Sequence, residues 1–372
     1  MRYTTLSGIV ALATIVVNGV SAVPAVAGGD HGHHGISVPC DTTALSTAIA
    51  TAPAGSTLLL ARHCTYHLTA AYTGADGLPP IDKQLTIEGR DATIVRDGPT
   101  AGAFRIFHVT STGDLRLDDV MIRGSNAPDD GGGVLVDTSG NLKLNKVTLD
   151  NNHADDQGGG VDVEPGATAY ITRSEFTFNN SGSKGGGLQA DGTVTTDGVV
   201  FARNFAVNNG GGIDNDSGDA VGNDGAGIDI DSGTVQFINS KILNNTTTGT
   251  QGGGIWNQTS LTLIKTEVSG NVVGGADGQG GGIYENFGTL VLRDSSVDRN
   301  STNGSGASQA GGIYNHSGAV TLDHSEVNNN ASTVAPGGVW TDTPFTVNQS
   351  KIRRNVPTNC AGSPVIVTGC AG

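Results

Sequence analysis

The sequence predicts an all-β chain: a single right-handed parallel β-helix, covered at its N-terminal end by one short helix. Three observations predict it. A glycine cluster followed by an apolar residue returns about every 27 residues, a second register of two apolar residues and an asparagine returns in step with it, and no helical period interrupts them for about 230 residues.

The glycine clusters read GGGVLV from Gly131, GGGVDV from Gly158, GGGLQA from Gly185, GGGIDN from Gly210 and GAGIDI from Gly225. They continue as GGGIWN from Gly252, GGGIYE from Gly280, GGIYN from Gly311 and GGVW from Gly337. Their third glycines step by 27, 27, 25, 15, 27, 28, 30 and 26 residues, and the step of 15 is a local duplication expected to form an inserted loop or a short extra strand. The second register is an apolar residue, a second five positions on, then Asn three further: Leu144, Leu149, Asn152, and likewise Leu263, Val268, Asn271 and Val347, Ile352, Asn355. A unit this short cannot bury its own apolar face, so consecutive units must stack as coils. Strand alternation sends Val134, Val161, Leu188, Ile213, Ile255, Ile283, Ile313 and Val339 inward, together with a column running from Val120 and Val147 to Ser295, Ser325 and Ser350. The repeated Asn predicts a ladder of amides bonded coil to coil, because a residue present in every coil serves the scaffold and not a site.

Before the repeats, Asp41 or Thr42 is placed to cap a helix with Leu45, Ala48, Ile49 and Ala52 on one face, ahead of a strand at Leu58–Leu60. The four cysteines fall as two local pairs, Cys40 with Cys64 and Cys360 with Cys370, and neither has the spacing of a metal knuckle, so both are expected as disulfides. The expected divisions are a signal peptide at 1–27, a His- and Gly-rich flexible tail at 28–39, the cap and early coils at 40–130, the repeat coils at 131–356 and a disulfide-closed cap at 357–372. Arg2, the apolar run from Leu6 to Val17 and Ala25 and Ala27 are the pattern of a secretory signal, which implies a secreted, extracellular product. A formal charge of −15 argues against nucleic acid as a partner, and nothing approaches the length of a membrane span. A monomer is expected.

With GGIYN at 311–315 and the Val297-to-Asn300 element, the chain resembles the polymorphic outer-membrane protein repeat family over roughly Gly131 to Asn355, and the mature chain is similar to pectin-lyase-like β-helix proteins. The second resemblance implies polysaccharide chemistry, but the residue series of its hydrolases is absent, and Leu322, Asp323 and His324 match a lyase strand only in part.

Candidate functional residues lie in the column next to the glycines: Leu135, Asp162, Gln189, Asp214, Trp256, Tyr284, Tyr314 and Trp340, with Asp229 in the duplication. Alternation points it to solvent, acidic first and aromatic later. Aromatic rings with polar edges suit sugar stacking, so Trp256, Tyr284, Tyr314 and Trp340 are the expected contacts for a polysaccharide or cell-surface glycan. Should the chain be a hydrolase or lyase instead, Asp162, Asp214 and Asp229 are the candidate catalytic acids, with Asp162 and Asp214 two strand spacings or roughly 9.6 Å apart. A purely structural envelope role fits the same sequence. Asp214, Asp216, Asp219 and Asp224 form the densest acidic stretch and are candidate calcium ligands. His31, His33 and His34 are read as part of a mobile tail rather than a metal site.

Overall fold

The computed structural model describes residues 35–98, 101–207 and 234–372, with the backbone alone of 228–230. Over these residues the chain is all-β, a single parallel β-solenoid of about 10 turns with one short helix near its start. Every strand-to-strand pairing in its three sheets is parallel, from Ile36 with Leu58 to Asn328 with Arg353. One large sheet takes two strands from most coils, as in Thr168–Thr172 and Glu175–Thr177. A nine-stranded sheet carries the segments after the glycine clusters, such as Val161–Val163, and an eight-stranded sheet of two-residue strands, such as Asn180–Ser181, completes the coil.

The two corners that bend each coil around the large sheet are residues in the left-handed region, such as Arg173 (φ 49°) and Phe178 (φ 55°). His324 is one of them (φ 49°), and its Nδ1 lies 3.0 Å from the carboxylate of its own neighbour Asp323, so the partial lyase match falls on a corner of an ordinary coil.

Inside, the expected columns are in place. Val134, Val161, Leu188, Ile255, Ile283, Ile313 and Val339 are all fully buried. The hydroxyl column is bonded from coil to coil: Ser295 Oγ accepts from Thr266 N, Ser325 Oγ from Ser295 N and Ser350 Oγ from Ser325 N, at 2.9–3.1 Å. The asparagine ladder is complete from Asn152 to Asn355. Asn271 is typical: its Oδ1 accepts from both N and Nδ2 of Asn245 at 2.9 Å, while its Nδ2 donates to Asn300 Oδ1 at 2.9 Å and to the Ile242 carbonyl at 3.0 Å. Four bonds per buried amide leave no lone pair or proton for a ligand.

The helix spans Thr42–Thr51, capped by Asp41, whose Oδ1 accepts from Ala44 N at 2.7 Å, and it buries Leu45 and Ile49 on the first coil. The disulfides join Cys40 to Cys64 and Cys360 to Cys370. Past the last coil, Asn359 Oδ1 ends the amide ladder by accepting from Asn355, and Val367 is buried beside Cys360. Regular structure begins earlier than the sequence indicates: Ile36–Val38, expected within the flexible tail, is a strand paired with Leu58–Leu60. His31, His33 and His34 lie outside the described residues. No helix among the described residues is long and apolar enough to cross a membrane.

The duplication is resolved by register. Leu188–Ala190 pairs with Ile228–Ile230, which pairs with Ile255–Asn257, so the second copy supplies the strand of the coil. Asp229, not Asp214, therefore occupies the column position two strands from Asp162. The first copy, with Ile213, Asp214, Asp216, Asp219 and Asp224, lies outside the described residues, and Ile228 holds the register expected of Ile213.

Candidate functional site

The outer column of the nine-stranded sheet runs in register through His108, Leu135, Asp162, Gln189, Asp229, Trp256, Tyr284, Tyr314 and Trp340. Alternation points the column away from the coil interior, yet Asp162, Gln189, Trp256, Tyr284 and Tyr314 do not face solvent, which corrects the sequence expectation. Trp256, Tyr284 and Tyr314 are 2%, 4% and 6% exposed, and only Trp340 is half-buried. The reason is a residue of positive φ four positions earlier: the first glycine of the cluster for Leu135, Asp162, Gln189, Trp256 and Tyr284, and Ala310 (φ 50°) for Tyr314. With positive φ (62° at Gly158, 64° at Gly280) it turns the incoming loop back over the outward residue four positions later. A Cβ on Gly158 would sit 2.6 Å from Asp162 Cβ, and one on Gly131 would sit 2.7 Å from Leu135 Cβ. The column is thus sandwiched between sheet and loops.

In its aromatic half this makes a second apolar cluster, Trp256, Tyr284, Ala310 and Tyr314 with Trp340 packed against them. The rings stack nearly parallel, with centroids 6.2, 5.3 and 4.1 Å apart in order along the column. Trp256 Nε1 donates to Gln251 Oε1 at 3.1 Å, and burial pushes the Tyr314 hydroxyl up to about 12. These faces are spent on one another, so they are not open to a sugar ring.

The acidic half is different. Ligand oxygens of Asp130, Asp162 and Glu164 all lie within 4.8 Å of one another. Asp162 is 2% exposed and its Oδ1 has no hydrogen-bonding partner among the described residues, as is also true of Oε1 of Gln189 on the next strand. Burial, reinforced by the charges of Asp130, Asp191 and Glu164, holds the Asp162 carboxyl well above the ordinary carboxylate value; burial also raises Asp130 and Glu164. Beside them, Arg105 donates to Asp76 Oδ1 at 2.9 Å, Asp129 Oδ1 at 2.6 Å and the Asp130 carbonyl at 2.5 Å. His108 sits between Asp76 and Asp137, 3.0 Å from each, and its bond to Asp76 chiefly raises its pKa. Sequence reasoning found Asp162 but missed Asp130, which the loop of the preceding coil brings to it, and Glu164, two residues further along its own coil.

An open surface exists elsewhere. On the outer face of the large sheet, Arg116, Lys143 and Tyr170 stand in register on three consecutive coils. They line a groove of about 500 Å³ with Asn145, Arg173 and Asp197. Tyr170 is 50% exposed. The groove's polar groups are held in place: Lys143 Nζ lies 3.0 Å from Asp114, Arg116 Nε donates to Asp118 at 2.5 Å, and Arg173 Nη2 donates to Asn145 Oδ1 at 2.6 Å. Asp197 accepts from Asn239 at 2.9 Å. Aligning the residue before each first apolar position would have shown this column in the sequence. A second groove, of about 450 Å³ between the helix and Leu68–Tyr72, has no charged side chain in its lining.

Neither the known family models nor the curated proteins contain a match to this chain. The likeness to polymorphic outer-membrane protein repeats and to pectin-lyase-like proteins therefore rests on the repeat pattern, and the parallel β-solenoid is the part of it that the structure bears out.

Proposed function

We propose that the protein is an exported, non-catalytic glycan-binding solenoid, and that its ligand is a polysaccharide of neutral sugars lying across the coils at the Tyr170 groove. The half-exposed Tyr170 ring, set among fixed donors and acceptors from consecutive coils, is the observation that carries this reading. Sugar rings stack on such faces, and their hydroxyls both donate and accept, which suits a lining of Arg173, Lys143, Asn145 and Asp197 better than it suits a polyanion. Coils lie roughly 4.8 Å apart, close to the advance of one sugar along a chain. The secretory pattern of residues 1–27 and the two disulfides support export. A hydrolase or lyase built on Asp162 is disfavoured, because a catalytic carboxyl must touch substrate and this one is covered.

Retention on immobilised neutral and acidic polysaccharides tests the reading. Tyr170→Ala should weaken binding about tenfold, equivalent to about 1.4 kcal/mol, with little change in melting temperature, while Tyr170→Phe keeps most of it. If no polysaccharide is retained by the wild type, or if Tyr170→Ala binds as well, the assignment is wrong.

A further inference from the structure

We propose that Asp130, Asp162 and Glu164 form a site for one calcium-class divalent cation that ties two successive coils together. Asp130 comes from the loop that enters the coil of Gly131, whereas Asp162 and Glu164 flank the inward Val163 on the strand of the next coil. Their donor set is oxygen only, which favours a hard cation over zinc or copper. Two Ca–O bonds span roughly 4.6 to 5.2 Å, so donor oxygens within 4.8 Å of one another can share one ion.

The cluster alone would be an acidic patch. What marks it as a site is the Asp162 side chain, 2% exposed and in a close seat under Gly158, with Oδ1 unpartnered among the described residues and a carboxylate oxygen within 4.8 Å of the other two carboxylates. A buried carboxylate oxygen without a donor costs the fold free energy unless a proton or a cation meets it. Arg105 does not meet it: its three donating nitrogens are committed to Asp76, Asp129 and the Asp130 carbonyl. Asp130 keeps one oxygen for an ion, since only its Oδ1 accepts, from Gln157 N at 3.1 Å. Gln189, in register with Asp162 on the following strand, holds a further buried oxygen, Oε1, without a partner. A cation here would be enclosed by the loop layer, which gives it a structural role. The inference is independent of the glycan reading.

Thermal melts and calorimetric titrations of the full chain, first stripped with chelator and then given calcium or magnesium, test it. Calcium should bind at about one ion per chain through this site and raise the melting temperature by several degrees, with magnesium weaker. Asp162→Asn and Asp130→Asn should each lose the shift and bind at least about tenfold more weakly, while Asp216→Asn combined with Asp219→Asn keeps it. Should Asp162→Asn fail to fold, the half-buried Asp130→Asn decides. The proposal is overturned by a wild type indifferent to calcium, by a shift that survives at Asp130→Asn, or by one lost only in the Asp216 and Asp219 variant.

Discussion

The two halves of the outer column occupy the same backbone position and meet the same loop layer, yet they end in opposite conditions. From Trp256 to Trp340 the residues are satisfied: rings stack, and the Trp256 indole nitrogen donates to Gln251. From Asp162 to Gln189 the same burial leaves side-chain oxygens without donors and carboxyls with raised pKa values. Burial here is set by the loops turned back at residues of positive φ, such as Gly158, Gly280 and Ala310, and not by the chemistry of the side chain. Enclosure is therefore no mark of function in this column; an unsatisfied polar atom is.

The largest expected effect breaks the aromatic half. Tyr284 has a ring on either side and is 4% exposed, so Tyr284→Ala should destabilise the chain by roughly 3 to 5 kcal/mol, as for other buried aromatics. Denaturant unfolding with an unchanged m-value checks it. A midpoint equal to that of the wild type would mean the stack is dispensable cover.

Beneath the same rings, the interior column turns polar at Asn257, Glu285, Asn315 and Thr341. Glu285 is fully buried, and burial raises its carboxyl from 4.5 to about 8 against the bond it accepts from Asn257 Nδ2. Its Oε1 and Asn315 Oδ1 have no partner among the described residues, and a proton on Glu285 would remove the buried charge and supply a donor there. Because the folded pKa is the higher one, this contribution to stability is complete below 4.5 and is lost as pH rises through about 8. Glu285→Gln should therefore match the wild type near pH 4.5 and exceed it at pH 9, by about 5 kcal/mol at most. Melting curves across that range decide it; a gap independent of pH would contradict the buried, protonated acid.

Much of this architecture was legible because it follows from local chemistry repeated in step. The Asn152-to-Asn355 ladder, the hydroxyl column, the Asp41 cap and both cysteine pairs each follow from residue type and spacing. Alternation also told inside from outside correctly for Trp256, Tyr284 and Tyr314. It could not tell outside from exposed, because the covering layer depends on the path of loops whose turn is fixed by positive φ at glycines such as Gly158 and Gly280. Nor could it choose between the copies of the duplication, since both carry an apolar residue flanked by Asp; only pairing of Leu188 with Ile228 selects the second. The corners at Arg173 and Phe178 bear no turn residue at all, so their left-handed backbone is imposed by stacking rather than by propensity.

Both tryptophans of the protein belong to this column, so fluorescence excited where only tryptophan absorbs reports on the covering layer. The most direct measurement is iodide quenching of a Trp340→Phe variant, in which Trp256 is the sole tryptophan. A covered column predicts blue-shifted emission and quenching far below that of a free indole, with the additional quenchable component of the wild type coming from the half-buried Trp340. Emission at the wavelength of indole in water, fully quenched by iodide, would show the column open to solvent and contradict the account.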